Sequence, residues 1–187
     1  MRLATRIVVL GAVLTGWMAG PAAAQDVSVG YQFQRITNGS GLNLPAGFNV
    51  DGTFPLGFGG LRAMGQVDWS RKSASERIGG TAVEESTALI AYGAGVRWGG
   101  VTSARASPFV QVLIGAMRVS TSCTIAGVEL CDESSETDLM VQVGGGVAMS
   151  IRPAMALVGQ VDYRRMFSEG EAGNTFRVVG GIRLNLR

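Results

Sequence analysis

From residue 25 onward, apolar and polar residues alternate one for one over stretch after stretch. In 61–72, Leu61, Ala63, Gly65, Val67 and Trp69 share one parity, and Arg62, Met64, Gln66, Asp68 and Ser70 share the other. The stretch 155–167 repeats this, with Met155, Leu157, Gly159, Val161 and Tyr163 against Ala156, Val158, Gln160, Asp162 and Arg164. A period of two places the sets on opposite faces of a strand, whereas a helix needs 3.6. The pattern predicts eight strands, at 27–36, 48–56, 61–72, 87–98, 108–120, 138–151, 155–167 and 175–186. Many run ten residues or more, beyond the five or six usual in soluble sheets. Tilted strands of ~9–11 residues are what a bilayer requires.

The connections sort by length. Polar loops at 37–47, 73–86, 121–137 and 168–174 alternate with short turns at 57–60, 99–107 and 152–154. Long loops at one end and short turns at the other is the organisation of outer-membrane barrels. The expected fold is therefore all-β, an eight-stranded antiparallel up-and-down transmembrane barrel, with both termini at the short-turn, periplasmic end.

Parity then assigns the faces. One face ends in aromatic residues, with Phe48, Trp69, Tyr163 and Phe176 toward the long loops and Phe54 and Trp98 toward the short turns. Rings at both rims are expected where they sit at two membrane interfaces. The other face collects Gln32, Asp51, Arg62, Gln66, Asp68, Arg97, Gln111, Gln142, Gln160, Asp162, Arg164, Arg177 and Arg183. Buried charges must be paired, and an eight-stranded lumen is just wide enough for side chains to fill. The expectation is a lumen plugged by an Arg/Asp/Gln network.

Residues 1–24 carry a different signal. Arg2 and Arg6 precede an apolar run from Ile7 to Met18, and Ala22-Ala23-Ala24 offers a small-residue cleavage site before Gln25. This reads as a secretory signal peptide, the run being shorter than the ~20 residues of a spanning helix. The expected organisation is a signal peptide over 1–24 and a barrel over 25–187. Loss of Arg2 and Arg6 leaves basic and acidic residues equal in number. Charged residues are only 16% and apolar residues 47%, a balance that excludes disorder and a basic nucleic-acid surface.

The run Tyr92-Gly93-Ala94-Gly95-Val96-Arg97, followed by Pro108-Phe109-Val110-Gln111-Val112-Leu113-Ile114-Gly115-Ala116, resembles the central hairpin of small bacterial outer-membrane barrels. These are the OmpA-like and opacity-like barrel domains. Gly144-Gly145-Gly146-Val147, the Gly159–Tyr163 segment and Arg177-Val178-Val179-Gly180-Gly181-Ile182 resemble the same family. The resemblance covers essentially all of the chain after the signal. It implies insertion by the outer-membrane assembly machinery, contact with outer-membrane lipid and lipopolysaccharide, and a family of structural proteins and adhesins. One departure is the end, Leu184-Asn185-Leu186-Arg187, where relatives close on an aromatic residue that signals assembly. A peptidoglycan-binding domain after the last strand, as some relatives carry, is not expected.

Candidate chemistry is sparse. The chain has no His, which removes Ser-His-Asp and Cys-His hydrolysis and the general base of lipid A acyl-modifying enzymes and surface proteases. Cys123 and Cys131 are the two cysteines, both in the longest loop; in an exported protein they are expected to form a disulfide. Glu76, Glu84, Glu85, Glu129, Asp132, Glu133, Glu136, Asp138, Glu169 and Glu171 cluster in or beside the loops and read as solvated surface, without the ligand spacing of a calcium loop. The expectation is a non-enzymatic outer-membrane barrel with no cofactor, no metal and no nucleic-acid partner, in a structural or surface-interaction role. Two alternatives are a narrow pore for small solutes and a secreted, lipocalin-like soluble barrel. The latter requires every strand to face the opposite way.

Overall fold

The computed structural model describes residues 25–37, 43–78, 81–99, 105–125, 128–129, 134–168 and 172–186. Ten strands are present among them: β1 (Gln25–Ile36), β2 (Asn43–Leu44), β3 (Ala46–Pro55), β4 (Leu61–Ile78), β5 (Thr81–Gly99), β6 (Ala106–Ile125), β7 (Val128–Glu129), β8 (Ser134–Arg152), β9 (Met155–Phe167) and β10 (Ala172–Leu186). Eight are long and pair in sequence order, β1-β3-β4-β5-β6-β8-β9-β10, every pair antiparallel. β10 then returns to β1 over the full length of β1, from Gln25↔Leu186 to Ile36↔Thr175. The sheet is thus a closed eight-stranded barrel without a free edge, and no helix occurs among the described residues. β2 and β7 are two-residue additions on β1 and β6.

The facing follows the alternation. Val67, Val110, Ile114, Val161 and Val178 are each at least half exposed on the outer wall, while Gln66, Gln111, Gln160, Asp162 and Arg177 beside them are buried. So continuous an apolar exterior is intelligible only in lipid. It also removes the soluble lipocalin-like alternative, whose apolar face would point inward.

The strands outrun their sequence-predicted ends on one side of the barrel. The loop expected at 73–86 is mostly ladder, paired from Lys72↔Thr87 to Ile78↔Thr81. β6 continues to Ile125, and β8 starts at Ser134, opposite Thr121. The loop expected at 37–47 contains β2 and the start of β3. Beyond the bilayer, outward positions no longer have to be apolar, so the alternation fades while backbone pairing continues. β4, β5, β6 and β8 reach 18–20 residues, against 10–15 for β1, β3, β9 and β10.

At the opposite end the two fully described connections are tight. The 57–60 turn needs left-handed backbone at Gly57, Gly59 and Gly60, with φ of 78°, 44° and 84°, which glycine adopts without a Cβ clash. The β8–β9 turn follows an irregularity between Ser150 and Arg152. Residues 1–24, and with them the expected signal peptide, lie outside the described residues. So does Cys131, and nothing is described of the Cys123 side chain.

Candidate functional site: the lumen

Alternation on eight strands aims one residue in two at the barrel axis, and there the side chains sort into three levels. The middle level is ionic. Asp68 on β4 accepts two parallel bonds from Arg164 on β9, at 3.0 and 2.5 Å, and a third from Arg177 on β10 at 3.3 Å. The amides of Gln32, Gln34 and Gln66 complete its shell at 3.2, 3.3 and 3.0 Å. Asp162 takes Nε and Nη2 of Arg177 at 2.9 and 2.5 Å, together with the amides of Gln111 and Gln160 at 2.9 and 2.7 Å. Gln142 accepts from Arg164 Nε at 2.7 Å and bonds to Gln66. Two carboxylates and two guanidiniums therefore neutralise one another, and the glutamine amides bond to the charges around them, with Oε1 of Gln34 left buried and unbonded. The Arg164–Asp68 pair is bidentate, one nitrogen to each carboxylate oxygen, which combines strength with fixed geometry; Arg177 places Nε and Nη2 on the single oxygen Oδ2 of Asp162.

Backbone space is matched to this network. A Cβ on Gly144 would stand 1.9 Å from Oδ1 of Asp162, so β8 carries glycine where the carboxylate lies against the wall.

Toward the short turns a second ionic group follows. Asp51 pairs with Arg97 at 3.0 Å, and Arg97 Nε donates to Gln111 at 2.9 Å, joining this group to the middle level. Arg62 pairs with Asp26 at 2.9 Å. Arg97 and Arg183 both lie against the ring of Phe109, at 4.5 and 5.1 Å. Phe109 belongs to an apolar floor with Ala148, Ala156 and Val158.

Toward the long loops the lumen is apolar. Leu44, Leu89, Ala91, Met117 and Met140 have no exposed surface and pack with Met166, flanked by Ile36 and Val119. Leu44 enters this mouth from the short strand β2, which lies against Gln34 and Arg35 of β1.

Of the polar residues assigned to the lumen from parity, Gln32, Asp51, Gln66, Asp68, Arg97, Gln111, Gln142, Gln160, Asp162, Arg164 and Arg177 are buried, and Arg62 and Arg183 are partly so. Sequence reasoning missed Asp26, Gln34 and Asn49, which share the inward parity but fall in or just before the weakly patterned first two strands. It missed the methionine mouth because apolar residues there occupy the parity that is polar elsewhere.

The six aromatics all belong to the outward parity. Phe48 stacks on Trp69 at 6.5 Å, Tyr31 meets Phe48 edge-on at 6.3 Å, and Tyr163 lies 5.3 Å from Phe176. Trp98 donates its indole N–H to the Gly59 carbonyl at the short-turn rim, and Phe54 lies opposite Ala63 nearby. Tyr31, Phe33, Tyr92 and Phe167 add to this outer set.

No protein-family model matches the chain, and no curated protein matches it by sequence. Solved structures do match in fold. Ail, the attachment invasion locus protein of Yersinia pestis, solved with the heparin analogue sucrose octasulfate, is similar at 15% identity and a TM-score of 0.63, covering 88% of this chain and 99% of its own. Neisserial surface protein A is similar at 14% identity and a TM-score of 0.65, over 87% of this chain and 97% of its own. A major outer membrane protein from Thermus thermophilus is similar at 13% identity and a TM-score of 0.55, covering 89% and 100%. The fold is that of the small bacterial outer-membrane β-barrels.

Proposed function

We propose that this protein is a non-enzymatic integral outer-membrane barrel that presents its long hairpins at the cell surface, with a lumen that serves as a packed core and not as a passage. The observation that carries this reading is the three-level lumen. A charged waist whose members span the axis from six strands stands beneath a mouth in which Met117, Met140 and Leu89 have no exposed surface. A water path would have to cross both. The outer-membrane location is supported by the apolar exterior and by the neighbours' fold; export with loss of residues 1–24, insertion by the assembly machinery and the Cys123–Cys131 disulfide belong to the same proposal. The role is a rigid scaffold for surface interaction or envelope integrity, with no catalytic group assigned.

The test is reconstitution of the refolded chain in a planar bilayer. The expected trace shows no unitary conductance steps, while the same preparation migrates as a compact band that shifts on boiling. Reproducible steps from the compact species would replace this reading with the narrow pore.

A further inference from the structure

The charges in the short-turn half of the lumen do not cancel. Among the described residues, the charged side chains that face it there are Asp26 on β1, Asp51 on β3, Arg62 on β4, Arg97 on β5 and Arg183 on β10. The waist sets two arginines against two aspartates, whereas here three arginines face two aspartates. Arg62 takes Asp26 at 2.9 Å and Arg97 takes Asp51 at 3.0 Å, which leaves no carboxylate for Arg183. Its Nε donates to Ser28 Oγ at 3.4 Å and its guanidinium lies 5.1 Å from the Phe109 ring. It makes no ion pair among the described residues. Proton loss does not relieve the excess, because a guanidinium keeps its charge at neutral pH.

The arginines are also crowded. Arg62 and Arg97 are direct cross-strand partners on β4 and β5, a placement in which like charges repel. Arg97 and Arg183 share the ring of Phe109, at 4.5 and 5.1 Å. Of the charges acting on Arg183, that of Arg97 is the strongest, ahead of Asp51 and Asp26, with Arg62 after them. Two N–H groups lack acceptors at the same place. Nη2 of Arg97 and Nη2 of Arg183 are buried and unbonded, and Arg97 as a whole is 2% exposed. Leaving donors of a buried charged group unmet is costly.

A single negative charge that accepts N–H bonds would meet both needs, and the surroundings limit what carries it. One excess charge calls for a monoanion. Phe109, Ala148, Ala156 and Val158 close the space on one side with apolar surface, and an eight-stranded lumen is already filled by its side chains. The ion must therefore be compact. Arg62 and Arg183 are only partly buried, so it reaches the group from the short-turn mouth.

We propose that Arg97 and Arg183 hold a compact monovalent anion of the halide class beside Phe109, at the short-turn end of the lumen. The ion neutralises Arg183 and accepts charge-assisted bonds from the two Nη2 groups. Arg97 also donates to Gln111, and Gln111 to Asp162, each at 2.9 Å. A bound ion thus braces the waist through Gln111. This goes beyond the scaffold reading and requires only the closed barrel with its inward facing.

The experiment refolds the chain into phosphatidylcholine vesicles and follows its thermal midpoint by tryptophan fluorescence. Sodium chloride replaces sodium gluconate, an anion too bulky for the lumen, at constant total salt; sodium sulfate at matched ionic strength is the third arm. Each protein is compared with itself across the salts, so that general salt effects on stability cancel between proteins. The wild-type midpoint is expected to rise by several degrees with chloride and to follow the mass-action curve of one site. In Arg183→Gln the rise is lost, and in Arg183→Lys part of it returns with the charge. Crystals of the wild-type chain grown in sodium bromide are expected to show an anomalous peak within hydrogen-bond reach of both Nη2 atoms. Four results overturn the proposal: equal wild-type midpoints in chloride and gluconate, an undiminished rise in Arg183→Gln, an Arg183-dependent rise as large in sulfate as in chloride, or no bromide between Arg97 and Arg183.

Discussion

The waist and the mouth of the lumen share strands β6, β8 and β9, which carry residues of both a few positions apart, yet they are held together by opposite means. At the waist, Asp68 gathers two arginines and three glutamine amides, and each donor has one direction in which it works. At the mouth, Met117, Met140, Met166, Leu44 and Leu89 fill space without directional demands, and thioether side chains adapt to irregular gaps. The waist therefore fixes register around the barrel, while the mouth tolerates rearrangement. A specific network costs much when one member is lost, because the partners remain buried and charged.

The strongest way to break the contrast is Asp68→Asn. It leaves Arg164 and Arg177 short of a counter-charge, and roughly 3–5 kcal/mol of destabilisation is expected, read from the urea midpoint in lipid vesicles. A loss below 1 kcal/mol would mean that the waist is as forgiving as the mouth. Met140→Ala removes a fully buried side chain and is expected to cost roughly 2–3 kcal/mol, the lower part of the range for such truncations, since adaptable neighbours close the gap; equilibrium unfolding of the variant against wild type measures it. Met117→Leu conserves volume and should cost less than about 1.5 kcal/mol, with the heat-shift temperature nearly unchanged; a loss as large as that of Asp68→Asn would show the mouth to be as exacting as the waist. The smallest effect belongs to the boundary between the levels. Thr175, opposite Arg164, is fully buried and its hydroxyl has no partner. Thr175→Val should be neutral or stabilising by up to about 1 kcal/mol, and clear destabilisation in the same urea series would mean that the hydroxyl is bonded after all.

The same contrast explains what the sequence made readable. Strand number and facing were legible because lipid on one side and a packed lumen on the other impose a strict period of two. Arg164, Arg177, Asp68 and Asp162 stood out as charges inside otherwise apolar runs, which only an inward network accommodates. Leu44 did not, because it sits on a two-residue strand with no period at all. Met117, Met140 and Met166 did not either, as they reverse the polar-inward rule where the barrel leaves the membrane. The outer lengths of β4, β5, β6 and β8 were hidden for a related reason, since ladders of serine, threonine and glutamate such as Ser73↔Ser86 and Glu84↔Thr124 look like loop when read for hydropathy.

The pairing of β1 with β10 bears on how the molecule comes into being. The first strand of the barrel finds its second neighbour only in the last, about 150 residues later along the chain. Until that final strand arrives, Gln25–Ile36 offers a row of unused amides and carbonyls, and Arg177 is absent from the waist. No portion of the barrel is complete ahead of the whole. Closing such distant contacts delays the return on chain entropy already spent, so folding of this chain is expected to be slow and all-or-none, with the ionic waist locking only in the closing step.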